Sequence, residues 1–255
     1  MGGKFVDNFR VIEIKALNST NFLITIESEN DLPEIHPGQF VNIDIKNAPE
    51  VFLRRPFSIF EVDYSKKTIS LIIKILGKGS KKITEIKQGE TLNIIYPLGK
   101  GFTYPKTNDN ILLVGGGSGV APMLFLAKKS GIKNVDIILG AKTKQDHINV
   151  DEYSKYASLY FTTEDGSLGE KGYVTNHTAF QQLSKFTKIY ACGPYSMMKT
   201  IAKEAQKAGV FCEVSLENLM ACGFGVCLCC IEPTKKGNLC VCTQGPVFNV
   251  NDLKW

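Results

Sequence analysis

The chain has 255 residues, of which 44% are hydrophobic and 22% are charged, a composition that is ordinary for a globular protein. Its length allows two domains and a small additional module. The formal net charge of +5 comes from lysine pairs interspersed with acidic residues, which favours a solvated surface over a nucleic-acid-binding stripe. No apolar run approaches the roughly 20 residues of a membrane span.

The N-terminal segment runs into an alternating strand pattern and has no signal-peptide core, so we expect a cytoplasmic protein. Disulfides rarely persist in that compartment, and clustered cysteines there hold a metal or perform redox chemistry.

The first hundred residues alternate between apolar and polar positions, which predicts several short strands. The strand-like segments are FRVIEIKAL, FLITIES, QFVNIDI, TISLIIKIL and TLNIIYPLG. Turn-rich stretches separate them, and SKKITEIKQ predicts one short helix. The pattern is typical of an antiparallel barrel or sandwich.

The pattern changes at NDNILLVGGGSGVAPMLFLAKKSG, where an apolar strand runs through glycines into a segment of helical period. Further buried strands are predicted at VDIILGAK, SLYFTTEDG and KIYACGP. YSMMKTIAKEAQKAG predicts a helix that ends at Gly209. Strands that alternate with helices indicate a parallel α/β layer.

Six of the eight cysteines lie between residues 222 and 242. Cys222, Cys227 and Cys230 form a C-x4-C-x2-C stretch. A fourth cysteine, Cys242, follows after eleven intervening residues. This is the plant-type spacing for a [2Fe–2S] cluster. Three thiolates must converge on a compact cluster, and Gly223 and Gly225 permit the tight backbone angles that such a loop needs. The loop would also direct amide N–H groups at the sulfurs.

The alternative is a structural zinc site with thiolates from Cys227, Cys230, Cys240 and Cys242. Zinc leaves Cys222 and the four-residue gap unexplained, so the spacing favours iron–sulfur. Cys229 and Cys240 are then small buried residues or alternative ligands. The isolated Cys192 and Cys212 are expected in the core.

Two glycine turns follow predicted strands. GGGSGVAP, residues 115–122, lies where a strand meets a helix, and its backbone could approach a phosphate. Pro122 replaces the third glycine of G-x-G-x-x-G, so the motif could also be a simple tight turn. Val120 excludes G-x-S-x-G, and with it a nucleophilic Ser118. CGP, residues 192–194, closes another strand, and together the two turns indicate one ligand crevice.

The predicted barrel contains LRRPFSIFEV. Arg54 and Arg55 there precede Pro56, Phe57 and Ser58. A guanidinium suits a pyrophosphate, an aromatic ring suits a flavin face, and a hydroxyl can reach a flavin ring atom. The alternative is a surface arginine pair beside a core phenylalanine.

Taken in order, RPFS, GKGS, PLGKGF, GGGSGVAP, CGP and MACGFGVCLCC with VCTQGPVF resemble the ferredoxin–NADP reductase superfamily. More narrowly, the set resembles the electron-transfer subunits of NAD-dependent type B dihydroorotate dehydrogenases. The resemblance covers essentially the whole chain. It implies an antiparallel FAD-binding β-barrel over residues 1–105, a parallel α/β NAD-binding domain over 106–211 and a small [2Fe–2S] module over 212–255.

The resemblance also implies which residues meet each cofactor. Those for FAD are Arg55, Pro56, Phe57, Ser58, Ile72, Ile73, Lys74, Gly79 and Ser80. Those for the nicotinamide nucleotide are Gly115, Gly116, Gly117, Ser118, Gly119, Cys192, Gly193 and Pro194. The implied cluster ligands are Cys222, Cys227, Cys230 and Cys242. Two departures stand out: Lys74 occupies a position where arginine is usual, which loses a bidentate contact but keeps the charge, and Cys240 is an extra thiol.

A nicotinamide exchanges two electrons as a hydride, an iron–sulfur cluster exchanges one, and a flavin does both, so FAD must lie between them. The resemblance implies a path from the FMN of a dihydroorotate dehydrogenase catalytic subunit through [2Fe–2S] and FAD to NAD⁺, in pyrimidine biosynthesis. It also implies a heterotetramer with two copies of each subunit. No side chain needs to act as acid, base or nucleophile, so no catalytic residue is assigned.

Two other functions remain open. One is a small flavo-iron–sulfur subunit of another NAD(P)H-linked complex, of the bifurcating ferredoxin–NADP reductase or sulfhydrogenase type. The other is a zinc-holding binding module without redox chemistry. The choice of NAD over NADP rests on the resemblance, since Lys142 and Lys144 follow a strand that ends without an acid. The three histidines fall outside every motif, and we expect them at solvent-facing or loop positions.

Overall fold

The structure is a computed structural model that describes residues 3–46, 48, 50–148 and 150–255, without the side chain of residue 152. The first two residues of the predicted N-terminal domain therefore lie outside the described residues. No helix in the described ranges is both long enough and apolar enough to cross a membrane.

The N-terminal strands close into a six-stranded antiparallel barrel of order β1-β2-β5-β4-β3-β6. They are β1 (Phe5–Ala16), β2 (Asn21–Glu27), β3 (Phe40–Ile43), β4 (Arg55–Asp63), β5 (Thr68–Lys74) and β6 (Thr91–Leu98). The sequence left barrel and sandwich open; closure follows because β1 pairs with both β2 and β6. Alternate apolar residues such as Ile24 and Ile26 point inward and are fully buried. A short helix, α1 (Lys78–Thr84), follows β5.

A seven-stranded sheet forms the second layer, in the order β10-β9-β8-β7-β11-β12-β15. Its strands are β7 (Ile111–Gly116), β8 (Val135–Ala141), β9 (Ser158–Thr163), β10 (Glu170–Lys171), β11 (Lys188–Cys192), β12 (Phe211–Ser215) and β15 (Val247–Asn249). All of its pairings are parallel except β12 with β15. β7 lies between β8 and β11, and all six of its residues are buried, as a central parallel strand requires.

Two helices pack on this sheet, α2 (Val120–Ser130) and α3 (Tyr195–Lys207). α3 buries Met198, Ile201, Ala202 and Ala205, which share one helical face. The predicted stop at Gly209 is confirmed: its φ is +67°, and the amides of Gly209 and Val210 bond back to the last turn as in a Schellman motif. Short 3₁₀ helices occupy Gly117–Gly119, Lys144–Asp146, Asp151–Lys155, Val174–Asn176, Phe180–Lys185 and Val250–Asp252.

The cysteine-rich segment contains a hairpin, β13 (Ile231–Thr234) and β14 (Gly237–Cys240), and a one-turn helix, α4 (Val241–Gln244). It then returns to the large sheet, where β15 pairs with β12 at Val214 and Phe248. The predicted boundary between residues 211 and 212 falls inside β12, because FCEVS is a buried strand of the sheet. The predicted fold class is confirmed.

Candidate cofactor-binding sites

The loop of residues 222–230 curls through left-handed backbone conformations. Gly223 and Gly225 have φ angles of +79° and +88°, as the sequence predicted, and Leu228 adopts +56° despite its side chain. A Cβ at Gly225 would lie 2.9 Å from Thr243 Cγ2, so a larger residue would push the loop away from α4. The turn is therefore as compact as a loop that surrounds a small inorganic cluster must be.

The four predicted ligands lie in this region as two pairs. The amide of Cys227 donates to Cys222 Sγ at 3.5 Å, and the amide of Cys242 donates to Cys230 Sγ at 3.4 Å. No group of three or more His, Cys, Asp or Glu within the described ranges is arranged to hold a single metal ion. In a [2Fe–2S] cluster each of the two irons binds two thiolates, and these two cysteine pairs could supply them.

The loop also favours the ionised form of one thiol. Partial burial opposes ionisation of Cys222, but hydrogen bonds from the amides of Cys227, Phe224 and Val226 outweigh it and lower its pKa to about 6. Burial, a hydrogen bond and the charge of Cys230 raise the pKa of Cys242 to about 12. A thiolate that accepts several N–H donors is suited to bind iron, so the donor chemistry fits the cluster.

The prediction that Cys192 and Cys212 lie in the core is confirmed, whereas Cys229 is not the small buried residue that the sequence offered as one alternative. Cys212 is buried in the sheet, and Cys192 is buried at the end of β11. Cys229 is exposed, whereas Cys240 is buried, and burial followed by the neighbouring thiolates raises the pKa of Cys240.

The RPFS motif forms the first four residues of β4 and pairs with β3. Its four residues are half-buried, so the strand is open on one side. Arg54 is a structural residue, because its guanidinium donates to the carbonyls of Asn42 and Asn93 and to Asn93 Oδ1. Among the described residues, the side-chain hydrogen bonds of Arg55 go to the backbone carbonyls of Leu53 and Arg54, which leaves donors for a phosphate.

The residues of the second and third predicted FAD segments differ in their burial and contacts. Ile73 is buried in the barrel, and Ile72 packs against the α/β domain, so they could meet a cofactor only through their backbone. A Cβ at Gly79 would lie 3.0 Å from Arg55 Nε, which brings α1 against the RPFS motif. The Ser80 hydroxyl accepts from the amides of Leu76 and Gly77 and so closes the preceding turn.

The two glycine turns lie side by side, as the sequence predicted. A Cβ at Gly119 would lie 2.1 Å from the Cys192 carbonyl oxygen, and one at Gly116 would lie 3.0 Å from Pro194 Cδ. Gly117 faces solvent with a φ of +58°, and a Cβ there would lie 3.6 Å from Lys74 Nζ. An accessible glycine backbone beside a cation fits a dinucleotide phosphate.

A crevice continues from this turn along the ends of β7 and β8. Its lining includes Asn21, Gly115, Gly117, Gly140, Asp146 and His147. All three histidines lie in loops, as predicted, although His177 is buried there beside Glu170. His147 is half-buried in the crevice, and burial lowers its pKa, so the neutral ring is favoured.

Glu217 is a residue that the sequence reasoning missed. It lies two residues beyond β12, and its Oε1 is 4.0 Å from Cys192 Sγ. The side chain keeps access to solvent, but the protein packed around it raises its pKa by desolvation, which the charge of Lys74 partly offsets. Lys74 and Cys192, taken from two separate motifs, thus lie near one carboxyl group.

The raised pKa of Glu217 predicts a pH-dependent stability. A carboxyl with a raised pKa in the folded state stabilises the fold below its unfolded-state pKa, and that stability is lost as the pH rises through the folded-state pKa. We expect Glu217→Gln to raise the unfolding temperature by about 2 °C near pH 8 and to leave it unchanged near pH 4. Scanning calorimetry of the variant and the wild type across this range tests the prediction, and an unfolding temperature that is not raised near pH 8 would contradict it.

Family models cover the three regions separately. Residues 9–104 match an oxidoreductase FAD-binding domain, and residues 113–203 match an oxidoreductase NAD-binding domain. Residues 217–254 match the iron–sulfur cluster binding domain of dihydroorotate dehydrogenase B. These matches confirm the predicted cofactor classes, and they favour iron–sulfur over the zinc alternative.

Curated relatives match over most of the chain. The dihydroorotate dehydrogenase B (NAD(+)) electron transfer subunit of Fusobacterium nucleatum is 40% identical, with 86% of each chain covered. The subunit of the same name from Caldanaerobacter subterraneus is 36% identical over 94% of each chain. The chain belongs to the family of dihydroorotate dehydrogenase B electron transfer subunits. The predicted family is thereby confirmed.

Solved structures place this electron transfer subunit among ferredoxin reductase-like folds. The structure of an NADH-dependent reduced ferredoxin-NADP oxidoreductase, from work on flavin-based electron bifurcation, has a TM-score of 0.86 and 30% identity, and the match covers 100% of this chain and 92% of that one. A ferredoxin reductase in carbazole 1,9a-dioxygenase has a TM-score of 0.71 at 20% identity, with 81% and 67% covered. The second likeness supports the fold alone. The chain is thus an oxidoreductase subunit, as predicted.

Proposed function

We propose that this chain carries electrons from an FMN-containing dihydroorotate dehydrogenase catalytic subunit through a [2Fe–2S] cluster and FAD to NAD⁺. The observation that carries the proposal is the order of the three sites. The cluster loop contacts the barrel through Asn42 and Cys222, and the barrel contacts the glycine turn through Lys74 and Gly117. A bound flavin would exchange single electrons with the cluster and a hydride with the nicotinamide, and the barrel that would bind it adjoins both of the other sites.

For the cluster, we assign Cys222 and Cys227 to one iron and Cys230 and Cys242 to the other. The pairing follows the two amide-to-sulfur hydrogen bonds, each of which joins the members of one pair. Cys229 is exposed and outside both pairs. Cys240 takes part in neither of these two hydrogen bonds to sulfur.

For the flavin, the open side of β4 supplies the side chains, with Arg55 toward a phosphate and Ser58 toward the ring. Ile72 and Ile73 would contribute backbone groups, while Gly79 keeps α1 close to Arg55. For NAD⁺, residues 115–119 and 192–194 would meet the nucleotide, and Gly115 and Gly117 line the adjoining crevice. We place the domain boundaries near residues 105 and 215, so that β12 stays with its sheet.

The surface around the cluster loop supports an exit to a partner subunit. Four apolar side chains in or near the loop are exposed: Leu219, Phe224, Val226 and Leu228. Exposed apolar groups this close together are typical of protein interfaces. We assign this surface to the catalytic subunit, in a cytoplasmic complex with two copies of each chain.

Reconstitution with the catalytic subunit tests the function. The purified chain should show flavin and iron–sulfur absorption, and reduction of NAD⁺ by dihydroorotate should require both subunits. A catalytic subunit that reduces NAD⁺ equally well alone would contradict the proposal. A colourless chain that remains EPR-silent after dithionite would contradict both cofactor assignments.

A second function, a subunit of a bifurcating NAD(P)H-linked complex, is favoured by the full-length match to the ferredoxin-NADP oxidoreductase structure. The two functions differ in the partner that supplies or accepts electrons. Reduced ferredoxin would replace dihydroorotate as the electron donor in that case. Parallel assays with both donors and with both NAD⁺ and NADP⁺ separate the two functions.

A further inference from the structure

Asn42 lies at the contact between the flavin-binding strand and the cluster loop. It is the third residue of β3 and pairs with Pro56 of the RPFS motif in β4. Its side chain is fully buried, and its Nδ2 donates to the carbonyl of Cys222 at 3.4 Å. One residue thus connects the strand assigned to the flavin with the first cysteine assigned to the cluster.

This contact is held from both sides. A Cβ at Gly223 would lie 2.7 Å from Asn42 Nδ2, so the loop approaches the amide more closely than any other residue would allow. On the barrel side, the Asn42 carbonyl accepts a hydrogen bond from Arg54 Nη1 at 3.3 Å. The position of the Cys222 peptide is therefore set by the barrel wall.

The other end of the amide has no such contact. Asn42 Oδ1 is buried and finds no hydrogen-bond donor among the residues that the structure describes. A buried acceptor without a partner destabilises a fold, whereas an apolar side chain of similar size carries no such cost. Stability of the barrel alone therefore does not account for an amide at this position.

We propose that Asn42 is a positioning residue that fixes the cluster relative to the flavin and thereby sets the electron-transfer step between them. The inference rests on the proposed function, since it takes both cofactors to occupy the assigned sites. The hydrogen bond to Cys222 restrains the loop. The N–H end of the amide dipole also lies beside a cluster ligand, where it favours the added electron of the reduced cluster.

Two substitutions test the proposal in the full-length chain with both cofactors. Asn42→Leu removes the donor and the unpaired acceptor together, and Asn42→Thr is too short to reach Cys222. For both we expect a more negative cluster reduction potential and an altered EPR spectrum of the reduced cluster. Loss of the cluster to a chelator should be about fivefold faster, as expected for one lost hydrogen bond. Asn42→Leu should unfold at the same temperature as the wild type or higher.

Thr25→Val is the matched control. The Thr25 hydroxyl in β2 is hydrogen-bonded to the Ser70 hydroxyl in β5. Because β2 lies opposite β3 in the closed barrel, loss of this bond should leave the cluster unaffected. Wild-type EPR, potential and chelation rate in both Asn42 variants would overturn the proposal, as would a lower unfolding temperature without any change at the cluster. A wild-type chain that lacks cluster or flavin would instead overturn the proposed function.

Discussion

Serine at any one of the four assigned ligands should abolish the [2Fe–2S] cluster and reduce dihydroorotate-linked NAD⁺ reduction by at least about 100-fold. The four substitutions are Cys222→Ser, Cys227→Ser, Cys230→Ser and Cys242→Ser. A serine oxygen is a harder donor than the thiolate that iron–sulfur clusters use, and each pair would lose one of its two sulfurs. Iron and sulfide analysis with EPR after dithionite measures the loss.

Cys229→Ser is the matched control for this series. Cys229 lies in the same loop, directly before Cys230, but it is exposed and outside both pairs. It should keep a full complement of iron. Cys240→Ser should also keep the cluster, and loss of iron in this variant with retention in Cys222→Ser would overturn the ligand assignment.

Arg55→Ala should weaken FAD binding by about 100-fold without lowering the stability of the apoprotein. Among the residues that the structure describes, the hydrogen bonds of the Arg55 guanidinium go to the nearby carbonyls of Leu53 and Arg54, so its removal should disturb the barrel little. A charge-assisted phosphate contact would be lost with it. Fluorescence titration of the flavin-free chain with FAD measures the affinity.

The adjacent arginine provides the contrast for this prediction. Arg54 bonds to Asn42 and Asn93, so Arg54→Ala should destabilise the barrel. FAD affinity of the folded fraction should change little. Equal loss of flavin affinity in both variants, or a loss confined to Arg54→Ala, would show that the phosphate contact is wrongly assigned.

Local patterns were sufficient to predict most of the fold. Apolar and polar residues alternate with a period of two in the first hundred residues, and strand-like and helix-like segments alternate after them. Both patterns arise because one face of each segment is buried. The same reasoning identified Gly223 and Gly225, because a compact loop through left-handed angles excludes side chains. The C-x4-C-x2-C spacing likewise predicted that residues 222–230 form a compact loop.

Features that depend on distant segments could not be read from the chain. Glu217 acquires its raised pKa from the protein packed around its carboxyl group. Its neighbours in the sequence, Leu216 and Asn218, give no sign of this environment. Asn42 lies 180 positions before Cys222 in the chain, so no spacing predicts their contact. The predicted boundary after residue 211 falls inside β12, because the cysteine content of the following segment drew attention away from a buried strand.

The return of β15 to the nucleotide-binding sheet limits how this polypeptide can be rearranged. Val247–Asn249 covers the edge of β12, and Pro246 bridges to Lys100 beyond the barrel. A chimera that exchanges only the cysteine-rich C-terminal segment would remove β15 from β12 and leave backbone groups of β12 unpaired. Such a cassette would need to carry β12 with it. The redox centre is built into the architecture of its neighbours and is unsuited to act as a swinging carrier on a flexible tether.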